Sequence, residues 1–475
     1  MINSYLRSQV IQNFLHIPTE NQFFALNQLC DFLLARESDT IFLLTGYAGT
    51  GKTSLVGALV KTMKALRQPG ILLAPTGRAA KVFSSYADQP ANTIHKMIYR
   101  QKSFANEAGG FDAAFNTHKD TLFVVDEASM ISNDGFDFSF FGTGRLLDDL
   151  IHYVYSGENC RLLLLGDTAQ LPPITQTESP ALNVDVLKGY GLTVFEASLT
   201  QVVRQDTESG ILFNATAIRE HLRKNEVEMF PKLFTKGYED LQLVSGEELI
   251  EAISSSYSHD GVEETMIVTR SNKRANIYNN GIRNRILYRE EELSSGDRLM
   301  VVRNNYFWRS KEKTGEKTVN FIANGEIIQV LRVRRTSELY GFRFADVLVR
   351  FQDDDAEEEI KILLDTLQVE APALPKELSD RLFYSVLEDY VDVSTKAGKM
   401  KKMKEDVWYN ALQVKYAYAM TCHKAQGGQW MNVFLDIGYV TEEMLGEDFY
   451  RWLYTALTRA THRLYFVNLP DDFLA

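Results

Sequence analysis

Gly46, Gly51, Lys52 and Thr53 fit the pattern G-x-x-x-x-G-K-[ST] within GYAGTGKT. This spacing suits a phosphate cradle. The glycines let backbone N–H groups curl around phosphate oxygens, the lysine reaches the β- and γ-phosphates, and the threonine hydroxyl ligates Mg²⁺. Gly49, Thr50 and Ser54 belong to the same loop. A second pair, Asp126–Glu127, closes the apolar run TLFVV. There Asp126 can hold the metal, and Glu127 can orient or deprotonate an attacking water. A kinase has no need of the second acid, so the pair favours NTP hydrolysis. The third stretch, GDTAQLPPI from Gly166 to Ile174, follows the apolar run RLLLL and is stopped by two prolines. Each stretch alone has a plain alternative: a turn with a surface lysine, two solvated acids, a proline-ended loop.

These groups need a scaffold to bring them together. Asp39 to Leu66 reads as a strand, a Gly-rich turn and a helix. The helix N-terminus adds partial positive charge beside the cradle. Apolar runs that deliver acids at their C-terminal ends suit a parallel α/β sheet, where ligands bind at the strand ends. The chain has 475 residues, 45% hydrophobic and 24% charged. That is an ordinary soluble composition, long enough for two to four domains at roughly 100–200 residues each. No apolar run is long enough to span a bilayer, so no membrane partner is expected. The three cysteines, Cys30, Cys160 and Cys422, are scattered. They predict neither disulfides nor a metal cluster, and a reducing, cytoplasmic setting. A net charge of −12 weighs only weakly against nucleic acid, because binding depends on the local field of a groove.

In order along the chain, these and further motifs resemble superfamily-one DNA helicases of the 5′→3′ group, the RecD-like, Pif-like and phage Dda-like enzymes. PTENQ (Pro18 to Gln22) is similar to the element whose glutamine reads adenine, which implies that role for Gln22. APTGRAAK and TIH resemble single-strand contacts, implying Pro75, Thr76 and His95. GDTAQLPPI resembles the link from the γ-phosphate to the DNA track, with Gln170 as sensor, Asp167 as support and the prolines stiffening the loop. LTQVVRQ implies Arg204 as a γ-phosphate contact, and YTALTRATHRLY implies Arg459 as the arginine finger. TCHKAQGGQW resembles a stretch facing DNA and nucleotide, implying Thr421, His423 and Lys424 at DNA and Gln429 at the nucleotide. Two positions depart from the family: Ala425 and Gln429 stand where a serine and a glutamate are common. No nuclease constellation is visible. A metal role for His423 is disfavoured, because no partner has ligand spacing.

The expected fold class is α/β: two RecA-like P-loop domains, parallel sheets flanked by helices, with ATP and Mg²⁺ between them. The first runs 1–196, interrupted at 98–119 by a Gly-containing excursion that reads as a hairpin. The resemblance implies a duplex-splitting pin there, with Phe104, Phe111 and Phe115 as base-stacking candidates. For each one, folding back onto the domain is the alternative. The second domain comprises 197–293 and 407–475. Between them, 294–406 reads as an antiparallel β module, SH3-like by resemblance. Its KAGKMKKMK segment, Lys396 to Lys404, suits either phosphate contact or a mobile solvated loop.

The resemblance implies an ATP-dependent helicase that acts on single-stranded and forked duplex DNA. Repair or replication partners are not specified. Three other readings stay open: an RNA or non-unwinding translocase, a nucleotide-switched binding module, and a small-molecule kinase. The motifs downstream of Glu127 have no task in the last.

Overall fold

The computed structural model describes residues 2–14, 16–101, 111–135, 142–201, 209–309, 321–352 and 355–475. Strands β1 (Thr40–Gly46), β2 (Gly70–Ala74), β3 (Ala91–Thr93), β6 (Leu122–Val125), β7 (Arg161–Gly166) and β8 (Thr193–Leu199) form one sheet, ordered β3-β2-β6-β7-β1-β8. Every pairing in it is parallel. Phe42, Leu44, Val124 and Leu163 pack one face, and Ile41, Leu43, Phe123 and Leu162 the other. Burial on both faces explains why these strands read as continuous apolar runs. Parallel pairing also brings all their C-terminal ends to one edge. Gly46 ends β1, and Pro75, Asp126 and Asp167 directly follow β2, β6 and β7.

A two-stranded antiparallel ribbon, β4 (Tyr99–Gln101) and β5 (Phe111–Ala113), rises from the first domain. It matches the hairpin expected at 98–119. Phe104 lies outside the described residues. Phe111 lies in β5. Phe115 is 76% exposed, and the Arg100 guanidinium sits 4.5 Å from its ring centre.

The second parallel sheet has the order β16-β10-β17-β18-β9, from β9 (Leu241–Val244), β10 (Thr265–Thr269), β16 (Ala419–Thr421), β17 (Trp430–Asp436) and β18 (Ala460–Val467). Two parallel sheets flanked by helices are the RecA-like pair expected.

A closed barrel interrupts the second sheet between β10 and β16. Its strands are β11 (Arg298–Val301), β12 (Ile327–Leu339), β13 (Phe342–Phe351), β14 (Glu357–Leu363) and β15 (Leu412–Tyr416). Its last strand lies beyond the expected edge at 406, because Leu412 and Gln413 pair in parallel with β14 while Tyr416 pairs with β11. Two helices, Lys376–Glu388 and Lys396–Glu405, stand between β14 and β15. The lysine-rich segment is therefore helical. Thr395 caps its start by accepting from Gly398 N–H at 3.1 Å, and Met403 is fully buried.

One buried charge cluster fixes the barrel to the second sheet. Asp297, fully buried where the chain enters β11, accepts from Arg283 Nε and Nη2 at 2.9 Å each and from Arg289 Nη1 at 2.7 Å. Tyr418, where the chain leaves the barrel, donates to the same carboxylate at 3.0 Å. Among the described residues, no helix is long and apolar enough to cross a membrane.

Candidate active site at the junction of the two sheets

The cradle follows β1. Gly49 and Gly51 hold φ of 77° and 80°, left-handed values that glycine adopts without a Cβ penalty. Gly46 leaves no room for a side chain, since a Cβ there would stand 2.9 Å from Leu199 Cβ. Lys52 opens the helix Lys52–Ala65 and donates from Nζ to the carbonyls of Gly46 (2.5 Å) and Tyr47 (3.0 Å). Thr53 donates from Oγ1 to Asp126 Oδ2 at 3.2 Å. The hydroxyl and the acid expected to share a metal therefore face each other. Ser54 is exposed on the first helical turn.

Glu127 adopts φ 55°, a sparsely populated region for a residue with a Cβ. Its N–H donates to Asp126 Oδ1 at 2.8 Å, which helps hold the turn. Burial raises the pKa of Asp126; the Glu127 N–H, Lys52 and Thr53 oppose it. Burial also raises Glu127, and the Arg459 guanidinium is the largest force pulling it back. Arg459 precedes β18 and is buried, donating to Thr455 O (2.9 Å) and Gly428 O (3.2 Å). An arginine of the second sheet thus lies within electrostatic reach of the acid expected to prepare water.

The helix Glu447–Leu457 makes the junction. Tyr454 Oη accepts from Ala48 N–H of the cradle at 2.9 Å and donates to Asp167 Oδ2 at 2.7 Å. Burial and the Asp167 charge raise the Tyr454 pKa far above the usual phenol range, so the hydroxyl keeps its proton. Thr455 Oγ1 accepts from Leu171 N–H at 2.9 Å, and Gln426 Nε2 donates to Leu171 O at 2.7 Å. Arg451 donates to the carbonyls of Thr168 (2.5 Å) and Gln170 (3.3 Å). GDTAQLPPI is thus gripped by the second domain through its backbone and Asp167. Gln170 is buried, and its Oε1 has no hydrogen-bond partner among the described residues. Sequence reasoning gave Tyr454 no role. Its only signal was a hydroxyl within an otherwise apolar helix face.

Gln22 is placed differently from a free reader of adenine. Thr19 caps the helix Glu20–Leu34, and Gln22 Oε1 accepts from Thr19 N–H at 3.0 Å. Its Nε2 donates to Thr50 O at 2.9 Å. Both polar ends are engaged, tying this helix to the cradle. The T-x-x-Q spacing of a capping box was the available signal. Gln429 is exposed, and its backbone carbonyl accepts from Arg78 Nη2 of the APTGRAAK helix at 2.8 Å. Arg204 lies outside the described residues.

The residues expected at DNA fall on both domains. Thr76 caps the helix Gly77–Ala87 by accepting from Ala79 N–H at 3.2 Å. A Cβ on Gly427 would stand 2.9 Å from Ala79 Cβ and 3.2 Å from Thr76 Oγ1, so the two segments expected at DNA touch. Pro75 adjoins Thr76. Burial lowers the pKa of His95 to about 4, so it is neutral at pH 7. Thr421 and Lys424 line a small cavity with Asn272, Asn276 and Lys415. Among the described residues the buried Lys424 ammonium has no hydrogen-bond partner, and burial lowers its pKa to about 8, helped by Lys415. His423 is exposed.

Residues 28–232 match the AAA domain family, and residues 416–467 match the UvrD-like helicase C-terminal domain family. The ATP-dependent DNA helicase dda of Enterobacteria phage T4 is 23% identical over 89% of this chain and 93% of its own. The ATP-dependent RecD2 DNA helicase of Deinococcus radiodurans is 30% identical over 41% of this chain and 23% of its own. The chain thus matches an AAA domain and a UvrD-like helicase C-terminal domain, and it is similar to these dda and RecD2 helicases. Another relative is protein R530 of Acanthamoeba polyphaga mimivirus, 21% identical over 93% of this chain and 98% of that one. A Bacteroides Pif1 helicase solved with ADP-AlF3 and single-stranded DNA is 14% identical over 97% of this chain and 95% of that one, at a TM-score of 0.46.

Proposed function

We propose that this chain is an ATP-hydrolysing DNA helicase that translocates 5′→3′ on single-stranded DNA and unwinds forked duplexes, with closure of the two RecA-like domains on ATP as the step that moves DNA. The observation that carries the proposal is the Tyr454 hydroxyl, bonded at once to the cradle and to Asp167. One group of the second domain thereby senses both the phosphate loop and GDTAQLPPI.

Lys52 and the loop amides hold the phosphates. Magnesium fits the hard oxygens of Thr53 and Asp126, a pair that needs no all-protein cage when phosphate oxygens complete the shell. A cation held by Thr53 and Asp126 would supply charge neutralisation to the bound phosphates. Glu127 orients the attacking water. Arg459 stabilises charge on the transferring phosphoryl, a role worth ~10³–10⁵ in rate in related chemistry. Arg204 is the proposed second arginine. Because Arg459 belongs to the second domain, hydrolysis requires closure, and closure moves Thr76 relative to Thr421 and Lys424 on the DNA path.

ATPase assays with and without single-stranded DNA or RNA test the proposal. DNA stimulates the wild type, RNA stimulates it less, and Lys52→Ala is inactive. Full activity in Lys52→Ala, or no DNA stimulation of the wild type, overturns it.

A further inference from the structure

We propose that the helix Lys396–Glu405 binds the phosphates of duplex DNA ahead of the strand-separation point. This rests on the helicase reading above. The helix carries five lysines and one acid in ten residues, on a chain whose net charge is −12.

The lysines are held in place. Asn410 donates from its side chain to the carbonyls of Met403 (3.3 Å), Lys404 (3.0 Å) and Asp406 (2.7 Å), which ties down the helix C-terminus. Met403 is buried with Phe342, Phe344, Leu382 and Val386. Tyr390 donates to Asp406 Oδ2 at 2.8 Å, joining the preceding helix to the end of this one. An ordinary solvated helix offsets its lysines with acids three or four residues away. Here Lys396, Lys399 and Lys402 follow one another at i,i+3 spacing and repel. Lys396, Lys399, Lys402 and Lys404 make no ion pair among the described residues.

The position selects the partner. The Asn410 carbonyl accepts from Asn305 Nδ2 and from the Trp308 indole, each at 2.8 Å. Tyr306, between them, packs on the first-domain core around Ile98 and Tyr99. Tyr99 begins the β4–β5 ribbon. The basic helix is therefore tied to the side of the molecule from which the ribbon rises. A ten-residue helix is about 15 Å long. Over that length duplex DNA presents about nine phosphate charges, at one per ~1.7 Å.

The test is salt-dependent binding by the full-length quadruple variant K396Q/K399Q/K402Q/K404Q. The probes are a 5′-tailed duplex and the single-stranded tail alone. For the tailed duplex, the slope of log K against log salt becomes shallower by about two to four, at ~0.9 for each phosphate that no longer meets a lysine, and affinity falls more than tenfold. Binding of the tail alone and single-strand-stimulated ATPase stay at the wild-type level, and the matching Lys→Arg variant restores duplex binding. Unchanged duplex binding overturns the inference, as does an equal loss on both probes. If the wild type itself shows no DNA-stimulated ATPase, the helicase reading fails instead.

Discussion

Tyr454→Phe removes one oxygen from the junction and nothing else. In the closed arrangement that oxygen donates to buried Asp167 at 2.7 Å and accepts from Ala48 N–H at 2.9 Å. A hydrogen bond to a charged group contributes about 1.5–3 kcal/mol and a neutral one about 0.5–1.5 kcal/mol. Their sum is an upper bound, because water can satisfy Asp167 and Ala48 when the domains part. A net loss of about 2–3 kcal/mol in closure is therefore expected. At 1.4 kcal/mol per decade this is roughly a 30- to 150-fold drop in closed population. The assay is kcat for single-strand-stimulated ATP hydrolysis, beside binding of a fluorescent ATP analogue. The residues that hold the phosphates belong to the first domain, so kcat should fall by that factor while nucleotide affinity stays near wild type. A kcat close to wild type would refute the reasoning, because the junction would then not be made in the hydrolytic state. An equal loss of nucleotide binding would show that Tyr454 only props the cradle.

Other perturbations test separate parts of the account. Lys424 has a folded pKa of about 8, below the usual ~10.4 for lysine. Its burial therefore destabilises the fold fully below pH 8, and the penalty fades between pH 8 and ~10.4. Lys424→Met should raise the melting temperature at pH 7, with a gain that shrinks above pH 8; a gain that grows with pH contradicts this. Wild-type affinity for single-stranded DNA should fall as pH rises through 8, and Lys424→Met should lose that pH dependence. Asp297→Ala leaves Arg283 and Arg289 without their shared carboxylate, a loss of about 3–5 kcal/mol for a broken buried pair. Hydrogen exchange should accelerate in β11 and β15, and unchanged protection there would contradict the role of the cluster. Gln170→Ala removes a buried carbonyl oxygen that has no partner among the described residues. It should leave stability and ATP binding near wild type while lowering the base pairs opened per ATP hydrolysed, and unchanged coupling would remove Gln170 as a sensor.

Much of the site was legible because a parallel sheet turns sequence order into spatial order. An apolar run followed by Gly46, Asp126 or Asp167 delivers each to the same edge, so three separate stretches pointed to one place. The barrel was legible from runs of β-branched and aromatic residues. Its closing strand was not, because LQVKY lies after two helices and pairs with strands distant in sequence. The lysine-rich helix was ambiguous because only Met403 is fully buried in it. Its Thr395 cap and the Asn410 clamp decide, and the clamp exists only once the chain folds back. Tyr454 was hidden for the same reason: its two partners lie more than 280 residues away. Gln22 could have been read locally, since Thr19 and Gln22 have capping-box spacing.

The most direct test is strand separation on forked duplexes that carry a single-stranded tail at either the 5′ or the 3′ end. With ATP and Mg²⁺, the wild type should open the 5′-tailed fork and leave the 3′-tailed one intact, and Lys52→Ala should open neither. Opening of the 3′-tailed fork alone, no opening with ATP, or opening by Lys52→Ala would contradict the account.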